Sequence, residues 1–309
     1  ALTGDASIRD GTLGPLPIQR AEVSARNAPG DRIAITRMLL AVPGLDATGT
    51  GNFGLAPTAP MQMQVHALID NLPRLIAQVS KKTLPVSGRI ETTLSIGGTL
   101  KAPTIAAGVE ATNLDAYGLK IPSFVGQMQL RRRNLVVRNA EFTFTKGRMT
   151  IAGSLPLQLQ PFAFGPLEAP IAMDMTADNI DLSAFAPFMG DSTKLGGLLS
   201  GHLGITGSVR DPRVVGQLGM TNASYVSDLE TTPITNTVAQ ILFEGTRATL
   251  SRVHAQLGRG TLDGSGTLNF GGGLGGGPLG YAIAITTHGA QPVSYTHLEP
   301  TRQAENSYA

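Results

Sequence analysis

The sequence predicts an all-β protein built from antiparallel strands, each with one apolar and one wetted face. Three observations lead there. Apolar residues recur at every second position through much of the chain, as in residues 199–223, LSGHLGITGSVRDPRVVGQLGMTNA. Glycine supplies 38 of the 309 residues and proline 20, and they cut these runs where turns and strand ends belong. The same turn-and-strand phrase returns at a spacing on the order of 100 residues, longer than the usual small repeat.

Composition narrows the class. Hydrophobic residues make up 41% of the chain, yet aromatics are only 5% and tryptophan is absent. Aromatic side chains bury about 150–250 Å² each and anchor most compact cores. This chain must therefore fill its interior with aliphatics or leave it partly unfilled. Twenty-four Lys and Arg against 22 Asp and Glu give a net charge of +2, without the basic stripe and interleaved aromatics of a nucleic-acid binder. With no cysteine there are no disulfides and no thiolate metal ligands. No apolar run reaches the roughly 20 residues of a spanning helix. The chain starts at Ala1 in mid-pattern, without initiator Met or signal peptide, and reads as a fragment.

Residues 1–58 read as a first, partial β unit: GTLGP from Gly11, the alternating AEVSARN, and GLDATGTGNF from Gly44. Residues 59–85 read as an amphipathic helical segment. Within MQVHALIDNLPRLIAQVSKK, residues 63–82, Val65, Leu68, Ile69, Leu72, Leu75, Ile76 and Val79 recur at three- and four-residue steps, and Pro73 predicts a kink or break. A second unit spans residues 86–170. In RIETTLSI, Ile90, Leu94 and Ile96 face one way and Arg89, Glu91, Thr93 and Ser95 the other. GTLKAP follows from Gly98, then GVEATN, a charged hairpin tip RRRN at residues 131–134, EFTFT with Phe142 and Phe144 on one side, GRMTIAGSL from Gly147, and LPLQLQ with Leu155 and Leu157 aligned.

The third unit, residues 171–292, repeats these phrases. LSAFAPFMG, residues 182–190, is a short helix that caps or crosses the sheet. Leu203 and Ile205 alternate with His202 and Gly204; GSVRDP from Gly207 matches GTLKAP; GQLGMTN carries Leu218 and Met220; and GTLDGSGTL from Gly260 matches GRMTIAGSL. In each unit the alternating strand is expected to end at its Asn: Asn27, Asn113 and Asn222. Residues 293–309, VSYTHLEPTRQAENSYA, share none of these patterns. VSYTHL resembles a translated sequencing adapter, so the tail reads as non-native or disordered. A one-sided apolar sheet must hide that side. Composition leaves two solutions open, a close-packed sandwich or a curled trough with a smooth aliphatic wall.

Residues 72–114, LPRLIAQVSKKTLPVSGRIETTLSIGGTLKAPTIAAGVEATNL, resemble the repeating segments of the TamB family, and so does LGGLLSGHLGITGSVRDPRVVGQLGMTNASY with its continuation to GRGTLDGSGTLNF. The shared phrase is a strand, Gly-Thr/Ser-aliphatic-x-x-Pro, an aliphatic, Gly, and a second strand closing on Asn; it covers most of residues 1–270. The resemblance implies an internal fragment of a Gram-negative periplasmic protein of the AsmA-like, bridge-like lipid-transfer kind. It would be anchored in the inner membrane by a segment not in this fragment, with an outer-membrane barrel partner of the BamA/TamA type. The fold it implies is a long, curved antiparallel sheet forming a U-shaped, taco-like groove with an apolar interior, plus one or two short helices. The expected function is non-enzymatic carriage of phospholipid acyl chains, the lipid being the partner and no nucleic acid or cofactor being involved. The alternative is a scaffold that assists outer-membrane β-barrel proteins by strand addition. The groove lining expected on this reading is Ile90, Leu94, Ile96, Phe142, Phe144, Leu155, Leu157, Leu203, Ile205, Leu218 and Met220.

Rival chemistry finds little footing. The five histidines are isolated along the chain. Asp174, Asp178 and Asp181 lack the Gly turn and distal Glu of a calcium loop. GTGNFG, from Gly49, fits a phosphate-loop pattern in spelling only, because prolines rather than a helix follow it. No nucleophile elbow or paired-carboxylate site is present, so neither catalytic nor metal-binding residues are assigned.

Overall fold

A computed structural model of the chain describes residues 3–289 apart from 15, 31, 81–82, 100, 132, 160–161, 165, 167, 191, 228–231 and 271–279. The tail at 293–309 and most of the Gly-rich run at 271–280 lie outside them. Eighteen strands form among the described residues. The first five are β1 (Thr3–Leu13), β2 (Leu16–Ala28), β3 (Arg32–Val42), β4 (Leu45–Gly54) and β5 (Met61–Ile69), followed by helix α1 (Leu72–Ser80). Next come β6 (Val86–Thr99), β7 (Ala102–Ala116), β8 (Leu119–Arg131), β9 (Asn134–Thr143), β10 (Arg148–Leu159), β11 (Phe162–Phe164) and β12 (Ala172–Asp181). A 3₁₀ helix (Leu182–Met189) leads into β13 (Thr193–Gly207), β14 (Pro212–Ser227), β15 (Ile234–Gly245), β16 (Arg247–Leu257), β17 (Gly260–Asn269) and β18 (Gly280–His288).

Seventeen of these strands make one antiparallel sheet that does not close into a barrel, each strand lying beside its neighbours in sequence. Among the described residues the short β11 pairs with the end of β10 alone, while β10 itself continues to β12. Pairing therefore runs unbroken through the junctions expected between the repeat units. Both helices lie along one long rim of the sheet, α1 between β5 and β6 and the 3₁₀ helix between β12 and β13. The turns β7–β8, β9–β10, β14–β15 and β16–β17 share that rim.

The repeated phrases have repeated geometry. GTLKAP joins β6 to β7 and GSVRDP joins β13 to β14, with Gly98 paired to Pro103 and Gly207 to Pro212. Thr99 Oγ1 accepts from the Ala102 N–H, as Ser208 Oγ accepts from the Asp211 N–H. Gly98 and Gly207 have φ of 84° and 92°, and a Cβ at either would collide with the carbonyl of Ala102 or Asp211. GTLGP departs from this pattern: it turns at the helical rim, where β1 meets β2, whereas the other two turn at the opposite rim. It is a likeness of spelling rather than of position.

The helix expected over residues 63–82 is only half formed. Residues 61–69 are strand β5, with Met61, Met63, Val65, Ala67 and Ile69 on one side and Gln62, Gln64 and His66 among those on the other. Val65, Leu68, Ile69 and Leu72 satisfy helical spacing as well, and flanking strands β4 and β6 decide the matter. Pro73 does not kink the helix but stands in its first turn, where no N–H is needed. Asn71 caps that turn, its Oδ1 accepting from the Arg74 N–H at 3.1 Å.

Of the asparagines expected to end strands, Asn27 stands one residue before the end of β2, whereas Asn113 and Asn222 bend their strands instead. Asn113 and Asn222 take φ of 51° and 49° and their strands run on to Ala116 and Ser227. Asn179, Asn236 and Arg252 do likewise. At Asn179, Asn222, Asn236 and Arg252 the register shifts by a β-bulge, and opposite Asn113 the β6–β7 pairing shifts between Ser87 and Arg89. Asparagine tolerates the left-handed region that most side chains avoid. A bulge bends its strand and raises the local twist, so a line of them beside the helical rim curls that rim.

Candidate functional site

Directly paired residues in an antiparallel ladder share a face, so register identifies both surfaces of the sheet. One row of partners crosses all seventeen strands: Ile8, Ala21, Leu40, Ala47, Ala67, Thr92, Val109, Gly126, Ala140, Ile151, Met175, Leu203, Gly216, Phe243, Ala248, Leu268 and Tyr281. Thr92 and the terminal Tyr281 hydroxyls are its only polar side-chain groups. At about 4.8 Å per strand the row is roughly 77 Å long.

The other face is mainly polar, with Val125, Val215, Val238 and Leu242 standing exposed among its polar side chains. Gln64 and Ser95, His66 and Glu91, Arg148 and Asp178, Thr176 and His202, Gln217 and Gln240, and His254 and Asp263 form cross-strand pairs there, the His66–Glu91 and His254–Asp263 contacts each 2.8 Å. These pairs are exposed and contribute little stability individually. They make the apolar row a one-sided feature.

What covers the apolar row is the deciding question, and burial answers it. Alanines on this face are almost wholly shielded: Ala255 is 1% exposed, Ala111 2% and Ala248 5%. Larger neighbours such as Val109, Ile151, Met175 and Phe243 stand only half-buried, and Ile180 is the one large side chain below 2% among the described residues. A sandwich would bury the large side chains against a second layer. Here the large groups screen the small ones between them, and no second sheet lies on top among the described residues. The sheet is a curved trough with a half-open aliphatic wall.

All eleven expected lining residues share this face. Leu94 pairs with Val65 and Ala107, Ile96 with Met63 and Ile105, and Ile90 with Ile69 and Ala111. Phe142 pairs with Phe124 and Met149, Leu155 with Leu135, and Leu157 follows two residues on. Leu203 and Ile205 pair with Met175 and Met173, and Leu218 and Met220 with Ile241 and Ala239. Two of the eleven are buried, Leu203 at 6% exposure and Phe144, which differs from the rest in what covers it. It is 4% exposed and packs on Phe185 of the 3₁₀ helix, ring centroids 6.1 Å apart, inside a cluster with Ile121, Ala177 and Ile180. It closes the rim and does not line an open wall. Val109, Met128, Ile151 and Phe243 are also on this face; the alternation in FVGQMQL and QILFEG carries the signal for Met128 and Phe243. The inward alanines leave none, because Ala fits either face.

The 3₁₀ helix is held at its start by Asp181, whose Oδ1 accepts from the Ser183 N–H at 2.9 Å. That backbone bond, with a second from the Ser183 hydroxyl and the nearby Lys146 charge, holds the Asp181 carboxyl below its usual range despite slight desolvation. Between this helix and the β7–β8 and β9–β10 turns lies a cavity of about 510 Å³ reached by Lys120, Lys146 and Thr193.

Among the described residues no cluster of three or more His, Asp or Glu is arranged to hold a metal ion, and no helix is long and apolar enough to cross a membrane. Asp174, Asp178 and Asp181 are dispersed, toward His202, toward Arg148 and at the helix cap respectively. GTGNFG is internal to strand β4. Comparison with protein-family models, with curated proteins and with solved structures finds no match to this chain.

Proposed function

We propose that the trough carries phospholipid acyl chains, and that the chain is part of a non-enzymatic periplasmic groove protein moving lipid between inner and outer membranes. The seventeen-strand apolar row supports this reading most directly. An acyl chain lying on it exchanges water for hydrocarbon at about 0.8 kcal/mol per buried CH₂. Because nearly every position offers the same aliphatic wall, no site along the row holds the chain much more tightly than the next. The headgroup stays at the mouth, in water. An inner-membrane anchor and an outer-membrane barrel partner enter as proposals from the TamB-like repeats.

The test is photo-crosslinking from the intact chain, with a diazirine amino acid at Leu203 or Ile205 and, as controls, at His202 or Gly204. Phospholipid adducts are expected from the first pair only. Equal adducts from both faces, or none from either, would overturn the conduit. A second reading has its own observation. Outermost strands β1 and β18 each pair on one side only among the described residues, and Tyr281, Ile283 and Ile285 of β18 are 75%, 62% and 62% exposed. An open edge of this kind accepts an extended polypeptide, so protein adducts from Ile283 without lipid adducts from Leu203 favour a scaffold for outer-membrane proteins.

A further inference from the structure

The 3₁₀ helix leaves two large apolar side chains in water. Phe188 and Met189, at its end, are 57% and 54% exposed. The neighbouring β7–β8 turn adds Tyr117, 54% exposed. The two elements touch, since a Cβ on Gly118 would come 2.8 Å from Pro187 Cβ. Single exposed apolar residues are ordinary, but three on adjoining tips of one rim form a patch.

Two lysines and two carboxylates border the patch, and backbone N–H groups engage both carboxylates. Lys120 and Lys146 reach the cavity that lies beneath Pro187, and the floor of that cavity is Phe144, Ala184 and Ala186. Asp181, the one carboxylate among the described lining residues, is engaged by Ser183. Asp115 holds the position paired with Lys120, but its Oδ1 accepts from the Gly118 N–H, and Lys120 enters no ion pair within 4 Å among the described residues. An aromatic and a thioether tip flanked by ammonium groups is the arrangement that settles at the headgroup level of an anionic bilayer. The rigid support comes from below: Phe185 is locked on Phe144, so the tips are held outward instead of folding into the trough.

We infer that this rim, formed by Tyr117, Phe188 and Met189 with Lys120 and Lys146 behind them, docks on the surface of a phospholipid membrane. The apolar tips enter the interfacial layer and lipid phosphates sit at the cavity mouth between the two lysines. This gives the molecule a membrane contact on its flank, separate from either end of the sheet. It does not depend on the conduit, because vesicle binding and acyl-chain adducts at Leu203 can succeed or fail independently.

The absence of tryptophan makes the test free of background. Phe188→Trp places the sole indole of these 309 residues on the patch; Leu55→Trp, at an exposed site on the opposite rim, is the control. The probes are vesicles of phosphatidylcholine alone and of phosphatidylcholine with phosphatidylglycerol. The Phe188→Trp emission is expected to shift to the blue and to be quenched by brominated acyl chains on anionic vesicles, and the Leu55→Trp emission to stay unchanged. Each of Lys120→Gln and Lys146→Gln is expected to weaken the partition about fivefold, and raised salt to weaken it in parallel. Free glycerol phosphate that competes fully with vesicles would mean a soluble phosphate site and would overturn membrane docking. So would no shift at Phe188→Trp, an equal shift at Leu55→Trp, or a patch that captures only a protein. Circular dichroism of each variant shows whether the β fold is kept. If a glutamine variant loses it, the salt dependence of Phe188→Trp binding decides alone.

Discussion

Asp181 shows how a single side chain fixes the rim. Its carboxylate caps the 3₁₀ helix, and its pKa lies below the ordinary value of 3.8 because the folded state supplies Ser183 donors. A depressed carboxyl stabilises the fold fully above that ordinary value and loses its contribution as pH falls through the lower folded value. Amide-exchange protection factors at Ser183 to Phe185, taken against intrinsic rates at each pH, should therefore fall below about pH 4 in the native protein. Asp181→Asn keeps a capping oxygen and should show no such pH dependence, while Asp181→Ala should weaken the cap by about 1 kcal/mol at neutral pH, the difference from the native protein shrinking in acid. The glycines at 98 and 207 make a second residue-scale case. Alanine at either must hold a left-handed φ and meet a carbonyl, so Gly98→Ala and Gly207→Ala should each destabilise by about 1–3 kcal/mol. Urea unfolding measures it, and a neutral result for Gly207→Ala would contradict the turn geometry.

Among the elements, strands were more legible than helices. Period-two alternation located β6, β9, β10, β13 and β14, because a residue on a pleated strand meets only one face and its chemistry reports that face. The stretch that became β5 carried both periods at once. Its polar alternates Gln62, Gln64 and His66 were the better guide, since they mark an outer face that a buried helix side would not tolerate. LSAFAPFMG was legible as a helical cap from its compact apolar run, but its partner Phe144 was read as open wall, since sequence alone does not show which wall residue a cap will sit on. The bulges were legible only as asparagines. Their spacing marked something recurrent, and an Asn signals a turn as readily as a kink within a strand.

For the whole molecule, a single curved layer has stability unlike that of a compact domain. Each strand leans on its two neighbours and on little else, as in repeat proteins, where stability adds along one dimension. Amide exchange should be slowest from β8 to β13, where the cluster of Ile121, Phe144, Ala177 and Ile180 ties strands together under the 3₁₀ helix, and fastest at β1 and β18. Uniform protection across the sheet would argue for a packed interior instead. Phe144→Ala, which empties that cluster at a cost of about 3–5 kcal/mol, should split one unfolding transition into two.

Among the described residues the sheet has an odd number of strands, which sets the relative direction of its two outermost ones. Sixteen antiparallel steps separate β1 from β18, so the two outermost strands run in the same direction. Laying copies end to end would seat a parallel pair in an otherwise antiparallel ladder, with slanted and slightly weaker bonds. Across the described residues, the edges of β1 and β18 are thereby mismatched to each other as templates for head-to-tail strand pairing.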